Sequence, residues 1–145
     1  PEIVYDVLNC YYERVLPRLN QDRDRFMGLC HGDPFAGNFL IDDNNKILLI
    51  DFEFAGYGDI FFDLGNLAWG YPLENRIRLL ELTVGYSEYL HKRLYDAVFE
   101  AALWNIGWSF IMSDAPYESN DYYKNAASVL GWLKILSDQK GLLTI

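Results

Sequence analysis

Residues 29–51 read LCHGDPFAGNFLIDDNNKILLID. Two apolar runs of strand length, residues 39–41 and 47–50, flank the turn-forming cluster Asp42, Asp43, Asn44 and Asn45. The pattern predicts a short hairpin that returns the chain beside its own start. Asp51, at the exit of the second run, then comes near Asp33 and Asn38 at the entry of the first. Asp33 and Asn38 are five positions apart, and Asp51 follows thirteen positions later.

Asp and Asn favour turns for local reasons, so a purely structural reading of these residues exists. The spacing also fits a chemical one. Transfer of a terminal phosphoryl group asks for an aligned nucleophile and a divalent metal that neutralises phosphate charge. Mg2+ prefers oxygen ligands, typically one or two carboxylates plus substrate phosphates. On this reading Asp33 accepts the hydrogen bond of an attacking hydroxyl. The Asn38 carbonyl oxygen and the Asp51 carboxylate hold Mg2+ on ATP. Glu53, two residues on, joins the metal ligands, reaches the substrate amine, or stays a solvated loop carboxylate. His31 packs and hydrogen-bonds to hold the loop.

The stretch HGDPFAGN, followed by IDFEF and then FFDLGN at residues 61–66, resembles the choline/ethanolamine kinase and aminoglycoside phosphotransferase superfamily. The likeness is densest over residues 30–69. It implies an α+β, mostly α fold: the C-terminal lobe of a protein-kinase-like molecule, with a small β-hairpin at the catalytic loop. It implies an ATP- and Mg2+-dependent phosphotransferase whose acceptor is the hydroxyl of a small cationic amino alcohol, choline or ethanolamine. An aminoglycoside acceptor is the alternative that the shared loop permits. It also implies that Asp63 braces the catalytic loop; an N-terminal helix cap is its other reading. Protein kinases carry arginine between His and Asp of this loop, where Gly32 stands here, and no APE motif follows. Protein substrates and activation by phosphorylation are therefore not expected.

The 145 residues suffice for one domain with a real core. Hydrophobic residues make up 51%, yet no run is long and apolar enough for a membrane span, and no signal-peptide pattern opens the chain. The net charge of −9 argues against nucleic acid as a partner and suits a cationic substrate or simple solubility. Cys10 and Cys30 are too few for a disulfide scaffold and fit a reducing cytoplasm. Cys30, inside a predicted strand, is expected as a buried free thiol.

Along the chain, apolar spacing predicts a helix over 2–16 that Pro17 stops or kinks, then a strand over 26–30. Phe52 and Phe54 are expected to pack inward, and Gly56 to Gly58 to form a flexible loop. Helices are expected over about 62–69, 73–82, 89–113 and 120–140, with Asn120 capping the last. Asp114, Ala115 and Pro116 break the chain before it, Gly141 stops it, and residues 142–145 pack back as an apolar tail. Trp104 and Trp108 are four apart and share a helix face. They are either core or a cage for an ammonium group. The family likeness implies the cage, in a pattern like LWxxWS that here has one extra residue between the tryptophans. It also implies a pocket aromatic near Tyr122 and Tyr123.

A kinase-type site also needs a glycine-rich strand pair and a lysine on the phosphates. Neither precedes Asp33. The chain is therefore expected to be the C-lobe alone, with a nucleotide-binding N-lobe of about a hundred residues, or a partner chain, supplying the rest. The 145 residues by themselves are expected not to turn over ATP; a non-catalytic cation-binding module is the second alternative.

Overall fold

A computed structural model describes residues 2–69, 71–113 and 119–138. The chain opens with α1 (Glu2–Cys10), a π-helical turn over Tyr11–Val15, and α2 (Leu16–Gln21). Pro17 does not end the helix. The Leu16 N–H reaches back to the Tyr11 carbonyl, so the ladder widens by one residue just ahead of the proline. The wider turn accommodates a ring that would otherwise meet the carbonyl of the preceding turn. Val7, Cys10, Val15 and Leu19 hold one buried stripe across all three segments.

A single 3-10 turn, Arg23–Phe26, leads into β1 (Met27–Cys30). After the loop come β2 (Phe39–Ile41) and β3 (Ile47–Leu49), paired antiparallel with Phe39 opposite Leu49. This is the expected hairpin. The Asp42 carboxylate accepts from the N–H groups of Asn44 and Lys46, and Asn45 takes the left-handed conformation at φ 59°. The expected loop at Gly56 is instead β4 (Gly56–Asp59), antiparallel to β1 with Cys30 opposite Gly56. Its composition carries almost no strand signal; the partner strand imposes the extended form.

The remaining elements are α3 (Ile60–Ala68), α4 (Leu73–Thr83), α5 (Glu88–Ser113) and α6 (Ser119–Asp138). α6 begins before Asn120, which therefore lies inside the helix rather than at its cap. The expected break at 114–116, the Gly141 stop and the 142–145 tail lie outside the described residues. α5 is the central post, with α3 and α6 packed along it. Leu94, Val98 and Phe99 of α5 and Phe61, Leu80 and Leu133 from the other helices are fully buried, each stabilising by roughly 1.5–3 kcal/mol. Gly65 lets α3 approach closely, because a Cβ there would stand 2.4 Å from the Ala97 carbonyl oxygen.

Helix α3 is capped by Asp59, which accepts from the Phe61 N–H at 3.0 Å. The alternative cap reading of Asp63 is thus corrected: Asp63 lies in the first turn of α3. Asp59 also pairs with Arg93, and both side chains are buried. Arg93 donates to the Leu19 carbonyl at 3.0 Å and rests on the rings of Phe26 and Phe61. One ion pair thus joins α2, β4, α3 and α5. Asp59→Ala would leave a buried guanidinium without its counter-charge, so unfolding stability should fall by about 3–5 kcal/mol. Urea melts of the variant check this; a loss under about 1 kcal/mol would count against the assigned role.

Candidate active site

The loop from His31 to Asn38 joins β1 to β2 and is held by side chains rather than by strand pairing. Asp63 reaches up from α3 and accepts the His31 N–H at 2.6 Å and the Gly32 N–H at 3.0 Å. The His31 ring is buried, with Nε2 at 2.9 Å from the Ile50 carbonyl oxygen. A carbonyl only accepts, so Nε2 carries the proton and Nδ1 is left as an acceptor. Nδ1 accordingly receives the Asp33 N–H at 3.3 Å. A neutral imidazole thus ties the loop to the end of the hairpin. Three successive loop N–H groups are satisfied without using the Asp33 carboxylate.

Gly32 has φ 87°, and a Cβ there would lie 2.4 Å from the Phe54 carbonyl oxygen. Both facts bar a larger residue. The absence of arginine between His and Asp therefore has a backbone cause.

Asn38 is buried and bridges the loop. Its Nδ2 donates to the Asp33 carbonyl at 2.8 Å and to the Asp33 carboxylate at 3.3 Å. Its own carbonyl accepts from the Ile50 N–H at 3.0 Å, which sets Asp51 beside it. Asp51 adopts φ 66°. Asp tolerates this left-handed region better than most side chains, at a small cost in energy. The hairpin thus gathers Asp33, Asn38 and Asp51 at one end.

Asp33, Asp51 and Glu53 line a single cavity of about 360 Å³ whose other walls include Trp104 and Trp108. Trp104 is 54% exposed and Trp108 is 44% exposed, so core packing does not account for them. Trp108 meets the edge of Phe54, with centroids 6.5 Å apart, and Trp104 meets Phe62 at 6.4 Å. Phe52 and Phe54 do not pack inward as expected; both are about half exposed. Phe52 lies on the His31 ring at 4.6 Å. Their strand-like alternation is lost in the loop before β4, where they shield His31 and the pocket wall instead. Tyr122 and Tyr123 fall on α6, where their side chains lie outside the described ones.

The donor set suits Mg2+. The nitrogen of Asn38 is committed to Asp33, and among the described residues its Oδ1 has no protein partner and is not sealed from solvent. With the Asp51 carboxylate this offers two hard oxygens, the number Mg2+ commonly takes alongside substrate phosphates. Among the described residues, no three His, Cys, Asp or Glu side chains form a ready metal cage. Glu53 therefore does not complete a preformed all-carboxylate site with Asp33 and Asp51.

Cys30 is a buried free thiol on β1, and burial pushes its pKa up. Residues that spacing did not reveal also line the cavity: Phe35, Asn66, Trp69 and Asn105. Asn66 closes the FFDLGN stretch and could have been marked by that motif. Asn105 carried no signal beyond lying between the two tryptophans.

Comparison with known proteins agrees with this architecture. A family model described as "Phosphotransferase enzyme family" matches residues 5–101. Probable choline kinase 3 of Arabidopsis thaliana is 39% identical over 46 residues, 31% of this chain and 13% of that protein. Probable choline kinase 1 of the same plant is 40% identical over 50 residues, 34% of this chain and 14% of that protein. The matches thus span only a small part of those relatives. A crystal structure of a choline/ethanolamine kinase family protein from Mesorhizobium loti superposes with a TM-score of 0.69 at 20% identity. That likeness, which is one of fold, covers 97% of this chain and 54% of the other, so the chain spans about half its length. With its family match running through the braced loop and the hairpin, the chain belongs to the phosphotransferase enzyme family.

Proposed function

We propose that the chain is the metal- and acceptor-binding lobe of an ATP-dependent kinase that phosphorylates the hydroxyl of a small amino alcohol, choline or ethanolamine. The observation that carries the reading is the shared cavity. Three carboxylates and two exposed tryptophans open onto the same 360 Å³. Acidic groups and ring faces together suit an ammonium ion, and the aromatic walls favour an amino alcohol over an aminoglycoside.

Asp33 is the general base. It accepts the proton of the substrate hydroxyl while that oxygen attacks the terminal phosphorus and ADP leaves. The hydrogen bond that Asn38 Nδ2 donates to the Asp33 carboxylate helps hold it in place. Asp63 and His31 act on the backbone of the loop and so position Asp33 rather than touch substrate. Asn38 Oδ1 and Asp51, with Glu53 at hand, would hold Mg2+. When bound, the ion neutralises phosphate charge.

The surface beyond the site supports a second lobe or partner chain. Leu29, Tyr57, Ile41 and Ile47 are 85%, 75%, 71% and 68% exposed. Leu29 and Tyr57 are cross-strand partners on one sheet and Ile41 and Ile47 on the other; apolar pairs so uncovered suit contact with another body. Among the described residues, no helix is long and apolar enough to cross a membrane. Use of ATP and the free Cys30 thiol support a cytoplasmic setting.

The test is ADP release by the intact protein with MgATP and a panel of choline, ethanolamine and aminoglycosides. Turnover with the amino alcohols is expected; turnover with aminoglycosides alone would overturn the assignment. Trp108→Ala should raise KM for the amino alcohol about three- to thirtyfold with little change in KM for ATP, from loss of the cation–π contact. An equal rise in both would point to general loosening instead.

A further inference from the structure

Two asparagines in the pocket take no part in the chemistry just described. Asn66 on α3 and Asn105 on α5 both line it. Asn66 Nδ2 donates to the Phe62 carbonyl at 3.1 Å, and Asn105 Nδ2 donates to the Ala101 carbonyl at 2.9 Å. Each bond runs one helical turn back. Because a carbonyl only accepts, the nitrogen and oxygen of each amide are identified by chemistry. The side-chain nitrogens are therefore spent on the helices, and each Oδ1 is left as an acceptor.

Among the described residues neither Oδ1 has a protein donor, and neither is sealed from solvent. Both are consequently open to the space that these residues line. For Asn105 that space is the acidic, Trp-walled cavity; for Asn66 it is that cavity and the adjoining one beside Phe35.

Tryptophan faces attract an ammonium ion whether or not it is methylated. The carboxylates supply charge and likewise favour any cation. A neutral carbonyl oxygen is more selective: it gains a strong, directional bond only from an N–H, and it loses its water without replacement against a methyl group. We propose that Asn66 and Asn105 are the specificity residues of the acceptor pocket. Their Oδ1 atoms take N–H hydrogen bonds from the substrate ammonium, so the site prefers a primary, secondary or tertiary amino alcohol over a quaternary one. The inference rests on the reading of this cavity as the acceptor site. It favours ethanolamine-type over choline-type acceptors.

The test is kcat/KM of the intact protein, at saturating MgATP, for ethanolamine, its N-methyl and N,N-dimethyl forms, and choline. The largest drop, about tenfold or more, is expected between N,N-dimethylethanolamine and choline, where the last N–H is lost. In Asn105→Leu that ratio should shrink, with the N–H substrates losing more than choline. Asn105→Asp keeps an acceptor oxygen and should retain the preference. Ratios within one variant do not depend on how much of it folds. A flat series, or choline as the best substrate, overturns the selection and leaves the acceptor-site reading standing. An equal loss for all four substrates in Asn105→Leu overturns it too. Turnover of none of the four overturns both readings.

Discussion

Asp33→Ala should lower kcat of the intact protein by a factor on the order of 10²–10⁴, the range associated with losing a positioned general base. The fold should survive. The backbone bonds of the loop do not use the Asp33 carboxylate: Asp63 accepts from His31 and Gly32, and Asn38 keeps its 2.8 Å bond to the Asp33 carbonyl. Only the 3.3 Å contact from Asn38 to the carboxylate is lost, so stability should change by no more than about 1 kcal/mol. Steady-state kinetics paired with thermal melts separate the two outcomes. Unchanged kcat would remove Asp33 as the base. A collapse in stability would make any loss of activity uninformative about chemistry.

The second large effect is expected at Asp51, where stability and activity should move apart. Asp51 sits at φ 66°, a region that costs a side chain energy and glycine little. Asp51→Gly relieves that strain but removes a carboxylate from the cavity. The melting temperature should hold or rise, by an amount worth up to about 1 kcal/mol. Turnover should fall by a factor on the order of 10³, as expected when several kcal/mol of charge stabilisation are lost. Asp51→Asn, which also tolerates the left-handed region, should give the same loss without the gain in stability. If Asp51→Gly were destabilised and active, the residue would be a turn former and nothing more.

Much of the candidate site was legible because it is local. Asp33, Asn38 and Asp51 are joined by a hairpin whose turn residues and apolar runs announce themselves, and the Ile50–Asn38 bond closes it as the spacing implies. The long helices were legible for the same reason. What escaped depends on partners distant in sequence. Gly56–Asp59 is a strand because Met27–Cys30 lies beside it, not because of its own residues. Asp59 caps a helix and pairs with Arg93, 34 positions away, so no local pattern separated it from Asp63. Phe52 and Phe54 were expected to pack inward, but they belong to a loop that folds over His31 and Gly32. Pro17 read as a helix stop or kink, and a π-helical turn just ahead of it carries the helix past it. Asn105 gained meaning only when α5 was set against the loop.

The most direct measurement is anomalous diffraction from crystals of the intact protein grown with Mn2+ in place of Mg2+ and a non-hydrolysable ATP analogue. A Mn2+ peak in direct contact with Asn38 Oδ1 and the Asp51 carboxylate, with Asp33 left free of the ion, is the expected result. Manganese bound to the nucleotide but touching neither Asn38 nor Asp51 would contradict the role assigned to the hairpin.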